Sequence, residues 1–314
     1  MSAVEAPGRV RSFLNLVAIE HSVFALPFAY LAALVAMWLE RDVCTGHVGG
    51  GGGSCGGGPL AFVDWWTLLV ITVAMVGART FAMAANRIID RHIDARNPRT
   101  AQRELVTGAV SVRTAWWGAG VALAVFLGAA ALLNPLCLLL APLAVVPLVV
   151  YPYGKRFTDY PHAILGVAQA VGPAGGWLAV TGTFEGSAPA AVLAIAVGLW
   201  IGGFDLIYAC QDAEIDRQIG VRSVPARFGV KAALYASTVT HVITFGLFVG
   251  FGIMVGLSWL WWIGLALTAV AFTYEHAIVK PQDLSRVNRA FFTANGFVGI
   301  ALFGFGLADL LLLG

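Results

Sequence analysis

Charged residues are scarce in this sequence. Asp, Glu, Lys and Arg together make up 11% of the 314 residues, whereas a soluble domain has about 25%. Hydrophobic residues make up 59%. This composition excludes an ordinary soluble domain and predicts a polytopic membrane protein in contact with membrane lipid. The net charge of +2 indicates no affinity for nucleic acid, and we expect no nucleic-acid partner.

Cysteine is also rare. The four cysteines are Cys44, Cys55, Cys137 and Cys210. Their spacing excludes a cysteine-based metal site. Cys44 and Cys55 fall in the glycine-rich stretch 40–64 and could pair in an oxidising compartment. We interpret that stretch as a flexible spacer between two helices.

Apolar stretches recur along the chain, each close to the roughly 20 residues that a membrane-spanning helix needs. They lie near residues 13–39, 65–89, 115–133, 136–153, 162–183, 189–209, 233–256, 258–278 and 289–313. We therefore expect an all-α protein with nine transmembrane helices, forming one domain over residues 1–314. Very short turns join the third helix to the fourth and the seventh to the eighth. The first stretch is too long for a signal peptide and contains Glu20 and His21, so we expect no cleavage.

The basic residues predict the orientation in the membrane, because Lys and Arg are enriched on the cytoplasmic side. If the N-terminus with Arg9 and Arg11 is cytoplasmic, nearly all of the 19 basic residues fall on the same side. Only Arg79, inside a span, and Arg41, on the outer side, depart from this pattern. We expect a cytoplasmic (inner) membrane protein whose stretch 40–64 faces outward.

Two groups of acids stand out in so apolar a chain. The first acidic motif consists of Asn86, Asp90 and Asp94, and the second of Asp212 and Asp216. Residues four apart share one face of a helix. The spacing from Asp90 to Asp212 equals that from Asp94 to Asp216, 122 residues in both cases. Acids near membrane depth are costly and usually functional.

A loop rich in basic and hydroxyl side chains follows each motif, at residues 96–105 and 217–227. The two halves of the chain therefore look like a diverged repeat, in which helices two and six are equivalent. Both motifs then lie on the cytoplasmic side, with the two helix ends facing each other across one cavity.

The acids and the basic loops together indicate a particular chemistry. Converging carboxylates repel each other unless cations lie between them. Oxygen ligands favour Mg²⁺ or Ca²⁺, and Mg²⁺ commonly binds one or two carboxylates together with substrate phosphates. Arginine binds phosphate oxygens through its planar guanidinium. This pattern is typical of a site that ionises a diphosphate leaving group, with the apolar helices around an isoprenoid tail.

Two other interpretations exist for such acids. Single acids at the cytoplasmic end of a helix are usually only solvated. An ion-coupled transporter would also use paired acids and internal repeats. The position at the cytoplasmic rim and the adjacent arginines favour a diphosphate-binding enzyme over a transporter.

With these motifs the chain resembles the UbiA superfamily of intramembrane prenyltransferases. Its signature is N-x-x-x-D-x-x-x-D at the end of helix two and D-x-x-x-D at the end of helix six of a nine-helix bundle, and both occur here. The resemblance implies two Mg²⁺ ions, a polyprenyl diphosphate donor, a small aromatic acceptor and a lateral opening to the bilayer. Prenyl transfer to haem or to a glycerophosphate lipid is the alternative within the enzyme class.

Further segments resemble particular branches of that superfamily. Residues 151–158 (YPYGKRFT) are similar to the Y-P-x-x-K-R-x-T segment of 4-hydroxybenzoate polyprenyltransferases. Residues 20–27 and 78–87 look like those of the futalosine-route menaquinone prenyltransferases, the group we expect to be closest. Arg87 replaces an acid that is often present in the first motif. The acceptor is therefore of the 4-hydroxybenzoate type or the naphthoate and futalosine type, on the route to ubiquinone or menaquinone.

The resemblance assigns roles to individual residues. The expected metal ligands are Asn86, Asp90, Asp94, Asp212 and Asp216, and the four acids are the expected catalytic residues. The expected diphosphate-binding residues are Arg91, Arg103, Lys155, Arg156 and Arg222. The expected acceptor-binding residues are Arg79, Tyr153 and His21. Asp212 or an oxygen of the released diphosphate would take the ring proton, and Glu214 should point away from the metals by helix geometry.

Overall fold

The computed structural model describes residues 25–45 and 60–313. Within these ranges nine helices have 18 or more residues, and we number them in chain order. They are α1 (Leu26–Thr45), α2 (Trp65–Asp94), α3 (Val112–Leu133), α4 (Pro135–Phe157), α5 (Pro161–Thr181), α6 (Ala188–Ala209), α7 (Val230–Val255), α8 (Trp259–Ile278) and α9 (Asn295–Leu312). The predictions for His21 and for pairing of Cys44 with Cys55 concern side chains outside the described residues.

Seven of these helical segments are long and apolar enough to cross a membrane, counted over the described ranges. The two that fall short by this measure are α1 and α8. The all-α class and a multi-pass membrane protein are confirmed. The count of nine spans stays a prediction.

Shorter helical turns occupy the loops at one end of the bundle. They are Glu104–Thr107, the 3₁₀ turn Cys210–Asp212, Ala213–Ile219, Val224–Phe228, Val287–Arg289 and the π-helical turn Ala290–Ala294. The two acidic motifs differ in their local backbone. α2 continues without a break through its motif, whereas α6 ends before the 3₁₀ turn that contains Asp212, so the second motif does not lie on one regular helix.

Polar side chains secure the two shortest connections. Asn134 alone separates α3 from α4, and it accepts the Cys137 N–H (2.9 Å) while its amide donates to the Leu178 carbonyl on α5 (2.8 Å). Between α7 and α8, the buried Asp309 of α9 accepts the N–H groups of Ser258 (2.9 Å) and Trp261 (3.0 Å). These oxygens satisfy amides that the first turn of a helix leaves without a partner.

The centre of the bundle forms around α6. In the apolar 18-residue stretch of the segment Ala188–Ile219, which includes α6, 72% of the residues are buried. The corresponding value for α4 is 11%, and α4 therefore lies at the periphery. Phe28 of α1 packs against Trp200 of α6, with ring centroids 5.3 Å apart, and stacks on Phe248 of α7 at 5.7 Å. All three side chains are fully buried. α6 is thus held on several sides, and the acids that follow it have a rigid support.

Small residues bring α5 close to its neighbours. A Cβ at Gly176 would collide with the carbonyl oxygen of Ala29 on α1, and one at Gly166 would lie 2.6 Å from the carbonyl oxygen of Gly198 on α6. Close backbone approach through small residues is a common way for helices to associate in membranes, where apolar burial gives little driving force.

We expect Gly176→Ala to destabilise the bundle by about 1–3 kcal/mol, because the added methyl forces α1 and α5 apart. Gly175→Ala is the matched control, since nothing lies within 4 Å of a Cβ there. It should be neutral or stabilising by up to about 1 kcal/mol. Thermal unfolding of both variants in the same detergent measures the difference, and equal midpoints would contradict the close contact.

Candidate active site

The first acidic motif lies in the last turns of α2. Asp90 is fully buried and Asp94 nearly so, while Asn86 is half-buried. Two basic side chains from the end of α4 approach the Asp90 carboxylate, Lys155 with its Nζ at 2.6 Å and Arg156 with its Nη1 at 3.3 Å. Arg156 also donates to the backbone carbonyl of Ile89 (2.7 Å). The ends of α2 and α4 are therefore joined through charge at Asp90.

The loop after α2 folds back over the same motif. Arg103 donates to the Asp94 carboxylate at 2.6 Å. The Thr100 hydroxyl, also buried, donates to the Asp94 carbonyl at 3.0 Å. The basic and hydroxyl side chains that the sequence places at residues 96–105 thus bind the first acidic motif.

The second acidic motif receives side chains from that same loop. Asp212 accepts the amide of Asn97 (3.0 Å) and the Nε–H of Arg99 (2.9 Å), and the Arg99 Nη2 forms a further short ion pair with it. The loop that follows α2 therefore contacts the end of α6, and the two motifs lie at one end of the bundle.

Asp216 has a different environment. Its carboxylate accepts the Ser223 hydroxyl at 3.4 Å, and no basic side chain of the described residues forms an ion pair with it. Glu214, between the two acids of the motif, is 71% exposed and pairs with Arg217 at 2.7 Å. It points into solvent, as helix geometry predicts.

The expected diphosphate-binding residues fall into two groups. Arg103, Lys155 and Arg156 contact the acids of the first motif. Arg222 instead donates to the Phe157 carbonyl (2.7 Å), and its Nε lies 3.8 Å from Asp159.

Arg91 also makes no hydrogen bond or ion pair with the acids of either motif among the described residues. Its side chain lies beside His92, with Nη2 3.3 Å from the imidazole Nε2. The structure therefore brings three of the five predicted basic residues to the acids.

Two of the expected acceptor-binding residues are described. Arg79 lies within α2, and its buried Nε has no hydrogen-bond partner among the described residues. Tyr153 is 45% exposed, with the Arg156 guanidinium 5.2 Å from its ring centroid. Arg79 is thus a half-buried cation whose Nε–H is buried and without an acceptor among the described residues, whereas Tyr153 lies near the surface beside Arg156.

Sequence reasoning missed Arg99 and Asn97. Burial alone would lower the pKa of Arg99, but its hydrogen bond to Asp212 and the surrounding negative charge raise that pKa above the ordinary value. Arg99 also donates to the Tyr208 hydroxyl at 2.9 Å and lies over that ring. The Asn-Pro-Arg sequence of the loop was the available signal, since loop residues often carry function.

A second missed feature is Asp205, in the last turns of α6. Its carboxylate lies 2.7 Å from Nδ1 of the buried His162 on α5. In the sequence Asp205 precedes Asp212 by seven residues, close to two turns of a regular helix, and that spacing was the available signal. In the structure the 3₁₀ turn Cys210–Asp212 interrupts the regular helix between them.

The acids of the two motifs are matched in number by basic side chains. Four carboxylates belong to the two motifs, and four basic side chains contact three of them, leaving Asp216 without an ion pair among the described residues. The basic side chains are Lys155, Arg156, Arg103 and Arg99. Each buried carboxylate needs such a partner, because an unpaired charge removed from water costs several kcal/mol. The ligand set consists of oxygens alone, which suits Mg²⁺ rather than a soft metal.

Comparison with known proteins identifies relatives of this arrangement. Residues 57–297 match the UbiA prenyltransferase family. A 4-hydroxybenzoate octaprenyltransferase of Xanthomonas campestris pv. campestris (strain B100) is 35% identical over 240 residues, 76% of this chain and 78% of that one. Another, of Paraburkholderia phytofirmans, is 29% identical over 300 residues, 94% of this chain and 95% of that one.

Solved structures show the same fold. A UbiA homolog from Aeropyrum pernix K1, in its apo form, is 33% identical and has a TM-score of 0.75, covering 90% of this chain and 97% of that one. A UbiA homolog from Archaeoglobus fulgidus, bound to DMAPP and Mg²⁺, is 19% identical with a TM-score of 0.68, covering 96% and 100%. From the match over most of its length, this chain belongs to the UbiA prenyltransferase family.

Proposed function

We propose that the chain is a single prenyltransferase domain over residues 1–314. It transfers a polyprenyl group from a polyprenyl diphosphate to an aromatic acceptor in the biosynthesis of a respiratory quinone. The observation that carries the proposal is the convergence of Asp90, Asp94 and Asp212 with four basic side chains at one end of a membrane bundle. The names of the 4-hydroxybenzoate octaprenyltransferase relatives support the same reaction.

The two acidic motifs would hold Mg²⁺. Asn86 offers an amide oxygen. Carboxylate oxygens come from the four acids Asp90, Asp94, Asp212 and Asp216. When bound, Mg²⁺ neutralises the charge that develops on the diphosphate as its carbon–oxygen bond breaks. Asp216 supports this assignment in particular, because it has no ion-pair partner among the described residues and is the acid that a metal would meet first.

The expectation of two metal ions rests on the resemblance to the UbiA superfamily. The four acids of the two motifs are equal in number to the four basic groups that contact them. A bound diphosphate ester would add about three negative charges, which would be unfavourable in a partly buried site without divalent cations. One Mg²⁺ would leave one negative charge and two would leave one positive charge, so the charge sum supports metal binding but does not choose between one ion and two.

The basic residues would then exchange partners. Lys155, Arg103 and Arg99 are each half-exposed at the ion pairs they form, with 27–35% of the side chain accessible. When the carboxylates turn to the metal, these cations are free to bind diphosphate oxygens, for which the arginine fork is well shaped. Arg91 and Arg222 would contribute from the periphery of the site.

An apolar groove would accommodate the prenyl tail. It lies between α1, α2 and α9 and has a volume of about 460 Å³. Its lining residues include Leu34, Leu68, Phe303 and Leu307. The groove is open at the side of the bundle, and this supports entry of a lipid substrate directly from the bilayer. Its lining residues on α2, Trp65 to Thr72, lie at the opposite end of that helix from Asp90, so the groove would receive the distal part of the tail rather than the reacting carbon.

The acceptor would bind near Arg79. A guanidinium with a buried, unpartnered Nε suits the carboxylate that hydroxybenzoate and dihydroxynaphthoate acceptors share. The ring carbon attacks the allylic cation, a carbon–carbon bond forms, and the ring proton passes to Asp212 or to the released diphosphate. Closeness to the futalosine-route enzymes is not confirmed by the comparisons. The relatives favour a 4-hydroxybenzoate-type acceptor.

The distribution of the basic residues supports a cytoplasmic orientation of the site. With the N-terminus in the cytoplasm, the ends of α2 and α6 and the loops after them face the cytoplasm, in the inner membrane. Soluble acceptor and Mg²⁺ would then enter from the cytoplasm and the prenyl donor from the bilayer. Membership of a prenyltransferase family speaks against an ion-coupled transporter.

Replacing one metal ligand should abolish prenyl transfer. We expect Asp212→Asn to reduce Mg²⁺-dependent transfer at least about a hundredfold, because the site loses a charged ligand that stabilises the departing diphosphate. Glu214→Gln is the matched control: it removes a carboxylate two residues away that points into solvent, and its rate should equal that of the wild type. Diphosphate release by purified protein gives the rates, and full activity in Asp212→Asn would refute the proposed site.

The acceptor can be identified with labelled polyprenyl diphosphate and a panel of 4-hydroxybenzoate, dihydroxynaphthoate and haem. We expect label on a carboxylate-bearing ring. Arg79→Gln should raise KM for that acceptor about tenfold, equal to about 1.4 kcal/mol of lost binding. For the corresponding phenol without a carboxylate, wild type and variant should have the same KM. A variant that binds both acceptors as the wild type does would remove Arg79 from the acceptor site.

A further inference from the structure

A second group of ligand-bearing side chains lies away from the acidic motifs, on α7 and α8. It consists of His241, Glu275 and His276, whose nearest nitrogen and oxygen atoms all lie within 4.8 Å of one another. His241 and Glu275 are buried, and His276 is half-buried. We propose that these three residues bind one divalent transition-metal ion of the Zn²⁺ type, separate from the Mg²⁺ of the proposed active site.

Two of the three ligand separations agree with tetrahedral coordination. His241 Nδ1 lies 3.0 Å from His276 Nε2 and 3.6 Å from Glu275 Oε2. Around a zinc ion with bonds of about 2.0–2.1 Å, tetrahedral ligand atoms lie about 3.3–3.4 Å apart. These two separations bracket that value. The third, between Glu275 and His276, is within 4.8 Å, and side-chain rotation on metal binding would bring these two ligands closer.

Each histidine forms a hydrogen bond through the ring nitrogen that points away from the three-residue group. These hydrogen bonds indicate which nitrogen carries the proton and which has a free lone pair. His241 Nε2 lies 3.2 Å from the Trp200 carbonyl, so this nitrogen carries the proton and Nδ1 presents a lone pair. The Thr238 hydroxyl donates to the Leu234 carbonyl at 3.0 Å, so at 3.3 Å it accepts from His276 Nδ1. His276 Nε2 then presents a lone pair as well. Metal-binding histidines typically donate their other N–H in this way.

Glu275 is oriented by a similar contact. Its Oε1 accepts the Asn295 amide at 2.7 Å, and Asn295 is itself held by the Trp200 indole N–H at 2.7 Å. Glu275 Oε2 is fully buried and has no hydrogen-bond partner among the described residues. It faces the same space as the two imidazole lone pairs.

With these tautomers three acceptors converge, and the 3.0 Å separation of the two imidazole nitrogens requires a proton or a cation between them. A buried acceptor without a partner costs about 1–3 kcal/mol. A single proton could bridge the two imidazoles, but it would leave Glu275 Oε2 unsatisfied. A metal ion satisfies all three atoms at once.

The ligand types indicate the metal. Two imidazole nitrogens and one carboxylate suit Zn²⁺ or a neighbouring first-row ion, whereas Mg²⁺ prefers oxygen ligands. His276 is half-buried, so a metal ion could reach the three ligands from the surface on that side. The bound ion would join α7 to α8 directly, and through Asn295 and Trp200 it would also fix α9 and α6. We therefore assign it a structural role in the second half of the bundle.

Metal retention by the full-length protein in detergent tests the proposal. The protein is stripped with a chelator, mixed with Zn²⁺ in the presence of excess Mg²⁺ to occupy the acidic motifs, and desalted. Wild type should retain one zinc ion per chain, and its thermal unfolding midpoint should rise on zinc addition. His276→Gln and Glu275→Gln should bind zinc at least about tenfold more weakly.

Two control variants separate this site from other histidines and from the proposed active site. His92→Gln removes an exposed imidazole on α2 and should retain zinc as the wild type does. Asp212→Asn should also retain zinc, whatever its transferase activity, so failure of one proposal is distinguishable from failure of the other.

Equal zinc retention by wild type and a His276→Gln variant that elutes as the wild type does would overturn the assignment. If the variants do not fold, Co²⁺ binding to wild type decides. A tetrahedral Co²⁺ site with nitrogen ligands gives intense visible absorption. Its presence supports the site, and its absence refutes it.

Discussion

The cost of a carboxylate without a partner in an apolar surrounding governs this molecule. Asp90 is fully buried at the end of α2 and is compensated by Lys155 and Arg156 of α4. The remaining pairs, Arg103 with Asp94 and Arg99 with Asp212, attach the loop after α2 to the ends of α2 and α6. The positions of three helix ends and one long loop thus depend on pairing of charge.

In the proposed function, the same pairing would let one site serve two states. Without substrate, the basic side chains neutralise the acids and keep the helix ends together. With a diphosphate and its metal ions bound, the acids would face the metal and the basic side chains would face the phosphate oxygens. The total charge of the site would then change little between the two states.

Much of the fold could be predicted from the sequence, because long apolar segments and the four-residue spacing of acids are local signals. The remaining features depend on tertiary contacts. Arg99 is one of several arginines in its loop, and only the path of the chain brings it to Asp212. Arg222 appeared equivalent in sequence, yet it turns toward Asp159. The 3₁₀ turn at Cys210–Asp212 likewise has no clear local signal, and the partnership of His162 with Asp205 joins residues far apart in the chain.

The cap on α8 couples one connection to a helix that comes later in the chain. The amides of Ser258 and Trp261 donate to Asp309 of α9. The first turn of α8 therefore has these acceptors only when α9 is packed against it. Folding of the hairpin formed by α7 and α8 is thus coupled to docking of α9.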